Sequence, residues 1–168
     1  MSQTNQESPT SNAAKSETPF TGKCYPKPNP DPDATPESQG VTTTLPDGKT
    51  EVKGAIAWWY DEADDARITG RSLWNGNYLW DGVPMASEAK VWGTAELFVD
   101  ADDPNDPPQG KWEFSFEGYM TGTPEDGFQL IVDVYGSGKE GVVKGLTTKS
   151  VYTFDFVAYY YKISGIIK

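Results

Sequence analysis

The stretch from Lys111 to Glu117 constrains the fold most. It reads Lys-Trp-Glu-Phe-Ser-Phe-Glu, with Trp112, Phe114 and Phe116 at one parity and Lys111, Glu113, Ser115 and Glu117 at the other. Successive side chains of a strand point to opposite faces, so this is a strand with one face in a core and the other in water. Downstream, glycines at 136, 138, 141 and 145 interrupt strand-like sequence. Glycines there mark sharp bends, bulges or close approach of backbones. Together the two features predict a closed or strongly coiled β-sheet.

Further alternation extends this expectation. In Glu88–Val99 an apolar face carries Ala89, Val91, Gly93, Ala95, Leu97 and Val99. Thr50–Tyr60 is expected as a strand with Val52, Ile56, Trp58 and Tyr60 on one face and Gly54 between them. Ala66–Trp74 and Tyr78–Trp80 read as two strands joined at Asn75-Gly76, a dipeptide suited to a tight hairpin because both residues tolerate positive φ. Gly127–Tyr135 and Val142–Thr147 are expected as strands, and Lys149–Ile167 as one long bent strand or two. No amphipathic helix of useful length is apparent. About eight strands with short turns give an all-β chain, a single antiparallel β-barrel or a sandwich, of which the barrel is preferred.

The segment from Met1 to Gln39 has a different composition. It holds seven of the chain's thirteen prolines, four of them at alternate positions 26–32, and its large apolar residues are few, Phe20 and Tyr25 among them. Such a stretch buries too little surface to offset the entropy of folding. The expected division is a disordered proline-rich arm over 1–39, polyproline-like near Lys27–Pro32, and a barrel domain over 40–168. Phe20 or Tyr25 would act as a lid if the arm folds over the barrel mouth.

Composition narrows the chemistry. The 168-residue chain has no histidine and one cysteine. That removes Ser-His-Asp and Cys-His catalysis, histidine-ligated metals and any intramolecular disulfide. Cys24, in its proline-rich setting, is expected to be a surface thiol. The formal net charge of −11 argues against nucleic acid and anionic membranes as partners, because phosphate recognition needs positive charge. The first residues lack the basic and apolar regions of a signal peptide. The protein is therefore expected in the cytoplasm, or exported after loss of a leader. Oligomeric state is left open, with a homodimer among the options.

Two acidic runs, 61–65 and 100–106, are oxygen-rich but do not follow the calcium-loop pattern, so they are expected as solvated turns and no metal site is assigned. Glu113 and Glu117 fall on the polar face of their strand and are expected in solvent. Asp133 shares a face with Gln129, Ile131 and Tyr135, where it would be a surface charge or, if buried, an acid or base. Asp155 is expected to point outward with Thr153.

The aromatic residues carry the functional expectation. Small Ala89, Gly93 and Ala95 leave space that Trp58, Phe114, Phe116 and Phe128 partly fill, and an eight-stranded barrel either fills its interior or encloses one small ligand. Trp58, Tyr60, Phe114, Phe116 and Phe128 are the expected walls of a cavity for a hydrophobic small molecule. Neighbouring Trp58 and Trp59 must face opposite ways on a strand. The alternative is a carbohydrate- or protein-binding module that presents Trp59 and Trp92 outward.

The Gly136–Gly145 cluster, the Val151-Tyr152-Thr153-Phe154 run and the ending Tyr161-Lys162-Ile163-Ser164-Gly165-Ile166 make the C-terminal 60 or so residues resemble the allene oxide cyclase-like barrel group, which includes dirigent-type and spirotetronate-cyclase-type barrels. The resemblance implies an eight-stranded antiparallel barrel with one apolar cavity. It also implies cofactor-free cyclisation or coupling of hydrophobic small molecules by shape and orientation. It assigns no catalytic residue to a position in this chain.

Overall fold

Every long alternating run lies in one antiparallel sheet that closes on itself in the computed structural model, which describes residues 16–168. Its strands are β1 (Thr18–Pro26), β2 (Val41–Thr44), β3 (Thr50–Ala63), β4 (Gly70–Trp80), β5 (Ala89–Val99), β6 (Gly110–Thr123), β7 (Gly127–Gly141), β8 (Thr147–Asp155) and β9 (Tyr160–Ile167). From β3 to β9 each strand pairs with the next. β1 closes the ring by pairing with β9 on one side and with the second half of β3 on the other. Eight strands form the barrel, and β2 lies outside it against the first half of β3.

The barrel therefore begins at Thr18, within the segment expected to be an arm. Only residues 1–15 of that arm lie outside the described residues. The sequence of β1 hid its role because it contributes few apolar side chains, chiefly Phe20 and Cys24 on its inner face, both fully buried. Cys24 is thus a core residue and not a surface thiol. Neither candidate lid residue covers the mouth: Phe20 packs inside the barrel, and Tyr25 faces outward against Tyr60, ring centroids 5.6 Å apart.

The segment between β1 and β2 straps the outside of β3. Lys27 N donates to Trp58 O at 3.1 Å, and Ser38 and Ile56 exchange backbone hydrogen bonds of 2.9 and 2.8 Å. The stretch of β3 that neither β1 nor β2 reaches is covered in this way, which protects an otherwise open sheet edge.

Inside, residues sort by parity. Leu97, Val99, Trp112, Val134, Val143 and Ile167 fill the lower half and are 0–1% exposed. A short 3-10 turn, Ala66–Ile68, seals that end: Ile68 is buried, and the Arg67 carbonyl accepts a hydrogen bond from Trp112 Nε1 at 2.7 Å. Glycines on the inner face make room for rings. A Cβ on Gly136 would lie 2.4 Å from Phe114 Cε1, so the close approach expected of the glycine cluster is real.

Local expectations change in two places and are narrowed in a third. Asn75-Gly76 sits in the middle of β4 and is no hairpin, because both neighbouring strands pair straight through it. Val142–Leu146 forms the turn between β7 and β8, with Val143 tucked into the core, where a strand was expected. Lys149–Ile167 resolves into two strands, joined by a turn at Tyr159 with φ 59°.

Candidate functional site

The decisive local feature is a bulge in β3. Its register with β4 shifts between Val52 and Ala55, and Gly54 adopts φ 70°, left-handed backbone that favours glycine. One extra residue exchanges the two faces of a strand. Beyond the bulge Ala55, Ala57, Trp59 and Asp61 therefore point inward, and Ile56, Trp58 and Tyr60 point outward.

Two expected wall residues are corrected by this shift. Trp58 lies outside the barrel, buried under the strap, with its Nε1 donating to Thr35 O at 2.8 Å and its ring beside Phe98. Tyr60 is also outside. Its hydroxyl donates to the Asp100 carboxylate, and the Lys27 ammonium sits 4.0 Å from its ring centroid. The other three point inward. Phe114 belongs to the filled lower half, stacked on Trp112. Phe116 forms part of the cavity wall, 4.8 Å from Trp74 between ring centroids. Phe128 packs against the core near the mouth without lining the cavity. Trp59, expected outward in the alternative reading, is inside.

The cavity occupies the upper half of the barrel, with a volume of about 520 Å³. That is within the roughly 300–1,000 Å³ typical of small-molecule sites. Trp59, Trp74, Phe116, Met120, Leu130 and Phe154 supply apolar wall. The mouth is rimmed by the β4–β5 loop, with Pro84 and Met85, and by the β8–β9 turn, with Phe156 and Tyr159. Met85 (φ 62°) and Tyr159 (φ 59°) are the two non-glycine residues with positive φ among the described residues, and both line this opening. Left-handed backbone costs an ordinary residue roughly 1–2 kcal/mol; Tyr159 is held there in part by its ring against Phe154, centroids 5.3 Å apart.

Three phenols give the apolar chamber polar handles. Tyr78, Tyr159 and Tyr161 all line it. Burial pushes the Tyr161 hydroxyl upward in pKa, with Tyr78, Cys24 and Tyr159 adding to the shift, and it pushes Tyr78 upward too, with Tyr159 adding. Tyr78 and Tyr161 therefore stay protonated donors at neutral pH. None of their hydroxyls has a hydrogen-bond partner among the described residues, and no enclosed side-chain N or O there is left unpaired. The Tyr78 and Tyr161 hydroxyls open onto the cavity, and the mostly exposed Tyr159 stands at its rim.

Behind the floor sits a buried carboxylate. Asp61, 0% exposed, accepts from Tyr152 OH on Oδ1 at 2.7 Å and from Ser72 Oγ on Oδ2 at 2.5 Å. Trp74 Nε1 donates to Ser72 Oγ at 2.9 Å, and Cys24 is the cross-strand partner of Asp61. Tyr152 and Trp74 line the cavity, so two hydrogen-bonded routes lead from its wall to the carboxylate. Burial raises the Asp61 pKa to about 6, although hydrogen bonds from Ser72, Tyr152 and Cys24 oppose the shift. Burial and the Asp61 charge raise both the Cys24 thiol and the Tyr152 phenol well above their usual values, so neither acts as a ready nucleophile or base.

The remaining acidic candidates are placed elsewhere. The 61–65 run is no solvated turn: Asp61 is buried, Asp64 accepts from Thr21 N at 2.8 Å, and Asp65 caps the 3-10 turn while pairing with Arg67 at 2.7 Å. Glu113, Glu117 and Asp133 face outward, as strand parity predicts. Asp155 accepts from Val157 N and Ala158 N, which ties the β8–β9 turn.

Sequence reasoning missed Trp59 and Asp61 because the bulge reverses parity, and a lone glycine in a strand was the available signal. It missed Tyr78 because Asn75-Gly76 was read as a turn. Tyr152 and Phe154 did share an apolar face in the sequence, as they do here. Comparison with protein-family models, with curated proteins and with solved structures gives no match to this chain.

Proposed function

We propose that this protein takes a hydrophobic small molecule into the open end of the barrel and holds it in a folded conformation, as a cofactor-independent cyclase or isomerase does. The cavity is the observation that carries this reading: an aromatic chamber of about 520 Å³ with phenol donors that the protein leaves unpartnered. Such a chamber suits a molecule with a mainly apolar body and at least one oxygen that accepts hydrogen bonds, such as a carbonyl. A ligand lacking that oxygen would leave desolvated hydroxyls without partners, at about 1–3 kcal/mol each.

Catalysis in this reading comes from confinement. Well-oriented intramolecular reactions gain up to about 7–11 kcal/mol from prepaid entropy. A phenol donating to a carbonyl would also stabilise charge that develops on its oxygen. Trp58 and Tyr60 have no part, being outside the barrel.

Native mass spectrometry of protein purified from its source, followed by extraction and identification of bound material, tests the proposal. A stoichiometric apolar, oxygen-bearing adduct that Phe116→Ala and Tyr161→Phe weaken would support it. Retention of such an adduct with unchanged affinity in both variants would refute the cavity as its site. Turnover of the extracted compound class separates a cyclase from a carrier.

A further inference from the structure

The outer wall carries a second concavity, on the far side of Phe116 from the chamber. A groove of about 660 Å³ crosses β4 to β7. Strand register builds it in two adjacent rows. Asn75 lies opposite Thr94, Thr94 opposite Ser115, and Ser115 opposite Tyr135. In the next row Asn77 lies opposite Trp92, Trp92 opposite Glu117, and Glu117 opposite Asp133. Short Thr94 and Ser115 form the bed, and the Trp92 and Tyr135 rings stand on either side. Four strands span three spacings of about 4.8 Å, so the bed is roughly 14 Å long.

Beyond the groove, two outward ion pairs stand on these strands, Glu96 with Lys111 at 2.5 Å and Glu113 with Lys139 at 3.4 Å. In the groove, the side chains of Asn75, Thr94, Ser115 and Glu117 make no hydrogen bond or ion pair among the described residues. Asn77 is fixed instead, accepting from Gly54 N at 3.1 Å and donating to Trp92 O at 3.4 Å. Lys90 and Lys149 sit over the Trp92 and Tyr135 rings, 5.9 and 5.6 Å from the centroids, and help hold them in place.

We propose that this groove binds a neutral saccharide chain. Amide, hydroxyl and carboxylate groups match the donor and acceptor pattern of sugar hydroxyls, and ring faces match the C–H faces of pyranoses. The opposed Glu117 and Asp133 carboxylates, on a chain of net charge −11, disfavour anionic sugars and nucleic acid. A peptide adding as a strand has no edge to pair with, because β4 to β7 are each paired on both sides.

Calorimetric titration of the full chain tests this, with cellotetraose and chitotetraose as neutral probes and trigalacturonate as the anionic one. At least one neutral probe is expected to bind and the anionic one is not. Trp92→Ala is expected to weaken binding about tenfold, the value of one aromatic stacking contact. Ser115→Arg, which fills the bed, is expected to abolish it. Both positions face outward, so unchanged urea midpoints serve as the folding control. The proposal is overturned if no neutral probe binds at millimolar concentration, if trigalacturonate binds in preference, or if both variants bind like the wild type. None of these outcomes touches the cavity, whose ligand is read separately.

Discussion

Replacing Asp61 with asparagine isolates the effect of burying one carboxyl among Ser72, Tyr152 and Cys24. Asn keeps the shape of Asp and an acceptor for Tyr152, and it never ionises. The folded pKa of Asp61, about 6, lies above the ordinary carboxyl value of 3.8. The native state therefore holds this proton more tightly than the unfolded chain. The stabilisation this provides is full below the unfolded value and is lost as pH rises through about 6. At ~1.4 kcal/mol per unit, the loss between about pH 4 and pH 7.5 amounts to roughly 2–3 kcal/mol. All other carboxyls titrate alike in the two proteins and cancel in the comparison. Urea unfolding of wild type and Asp61→Asn across this range gives the difference directly. Wild type should lose about 2–3 kcal/mol relative to the variant as pH rises. A difference that stays flat, or that grows in favour of wild type, would refute a carboxyl destabilised by burial. The latter would mean that its three donors outweigh desolvation.

Other expectations follow from packing. Cys24, fully buried with a raised pKa, should not react with a disulfide reagent in the native protein and should react at once in denaturant; rapid native labelling would contradict its place in the core. Phe116→Ala should weaken uptake of a cavity ligand and cost about 3–5 kcal/mol of stability by urea unfolding. Trp58→Ala should free the strap, seen as faster cleavage after Glu37 by a glutamyl endopeptidase; unchanged cleavage would contradict the ring's role in holding it. Gly93→Ala should cost about 3 kcal/mol or more, at the upper end for overpacking, because its Cβ would meet the backbone oxygen of Asn75 at 2.0 Å. Gly54→Ala meets nothing within 4 Å and should cost only the roughly 1–2 kcal/mol of its left-handed φ. Equal costs at these two glycines would show that sterics are not what distinguishes them.

The sequence was legible wherever one strand carries a continuous period of two. β5 and β6 could be read residue by residue, and their inner faces are those the alternation names. The all-β barrel follows from such runs. Legibility failed where a single residue changes the phase, as at Gly54, which sent Trp59 and Asp61 inward in place of Trp58 and Tyr60. It failed again where burial arises from tertiary closure and not from composition. β1 has few apolar side chains, yet Phe20 and Cys24 are buried because β9 and β3 enclose them. Asp61 stood in an acidic run that resembles a surface turn. Its burial depends on donors from β4 and β8, which no local window contains. Of the five residues expected to wall a cavity, only Phe116 lines the chamber in the upper half of the barrel.

The ring closes through β1, whose partners are β3 and the last strand, β9. On the ribosome, β1 emerges before the other strands; it can meet β3 early, but its pairing with β9 must wait until that strand has been made. Until then the sheet stays open on one side, and the Asp61 side chain lacks the Tyr152 neighbour it will have in the finished ring. Closure is then a late, long-range event, of the kind that slows folding because distant segments must meet before either is rewarded. During synthesis, the vulnerable state of this protein is thus a barrel with one seam unclosed. Its open margins, at β1 and at the strand made most recently, invite pairing with another nascent copy.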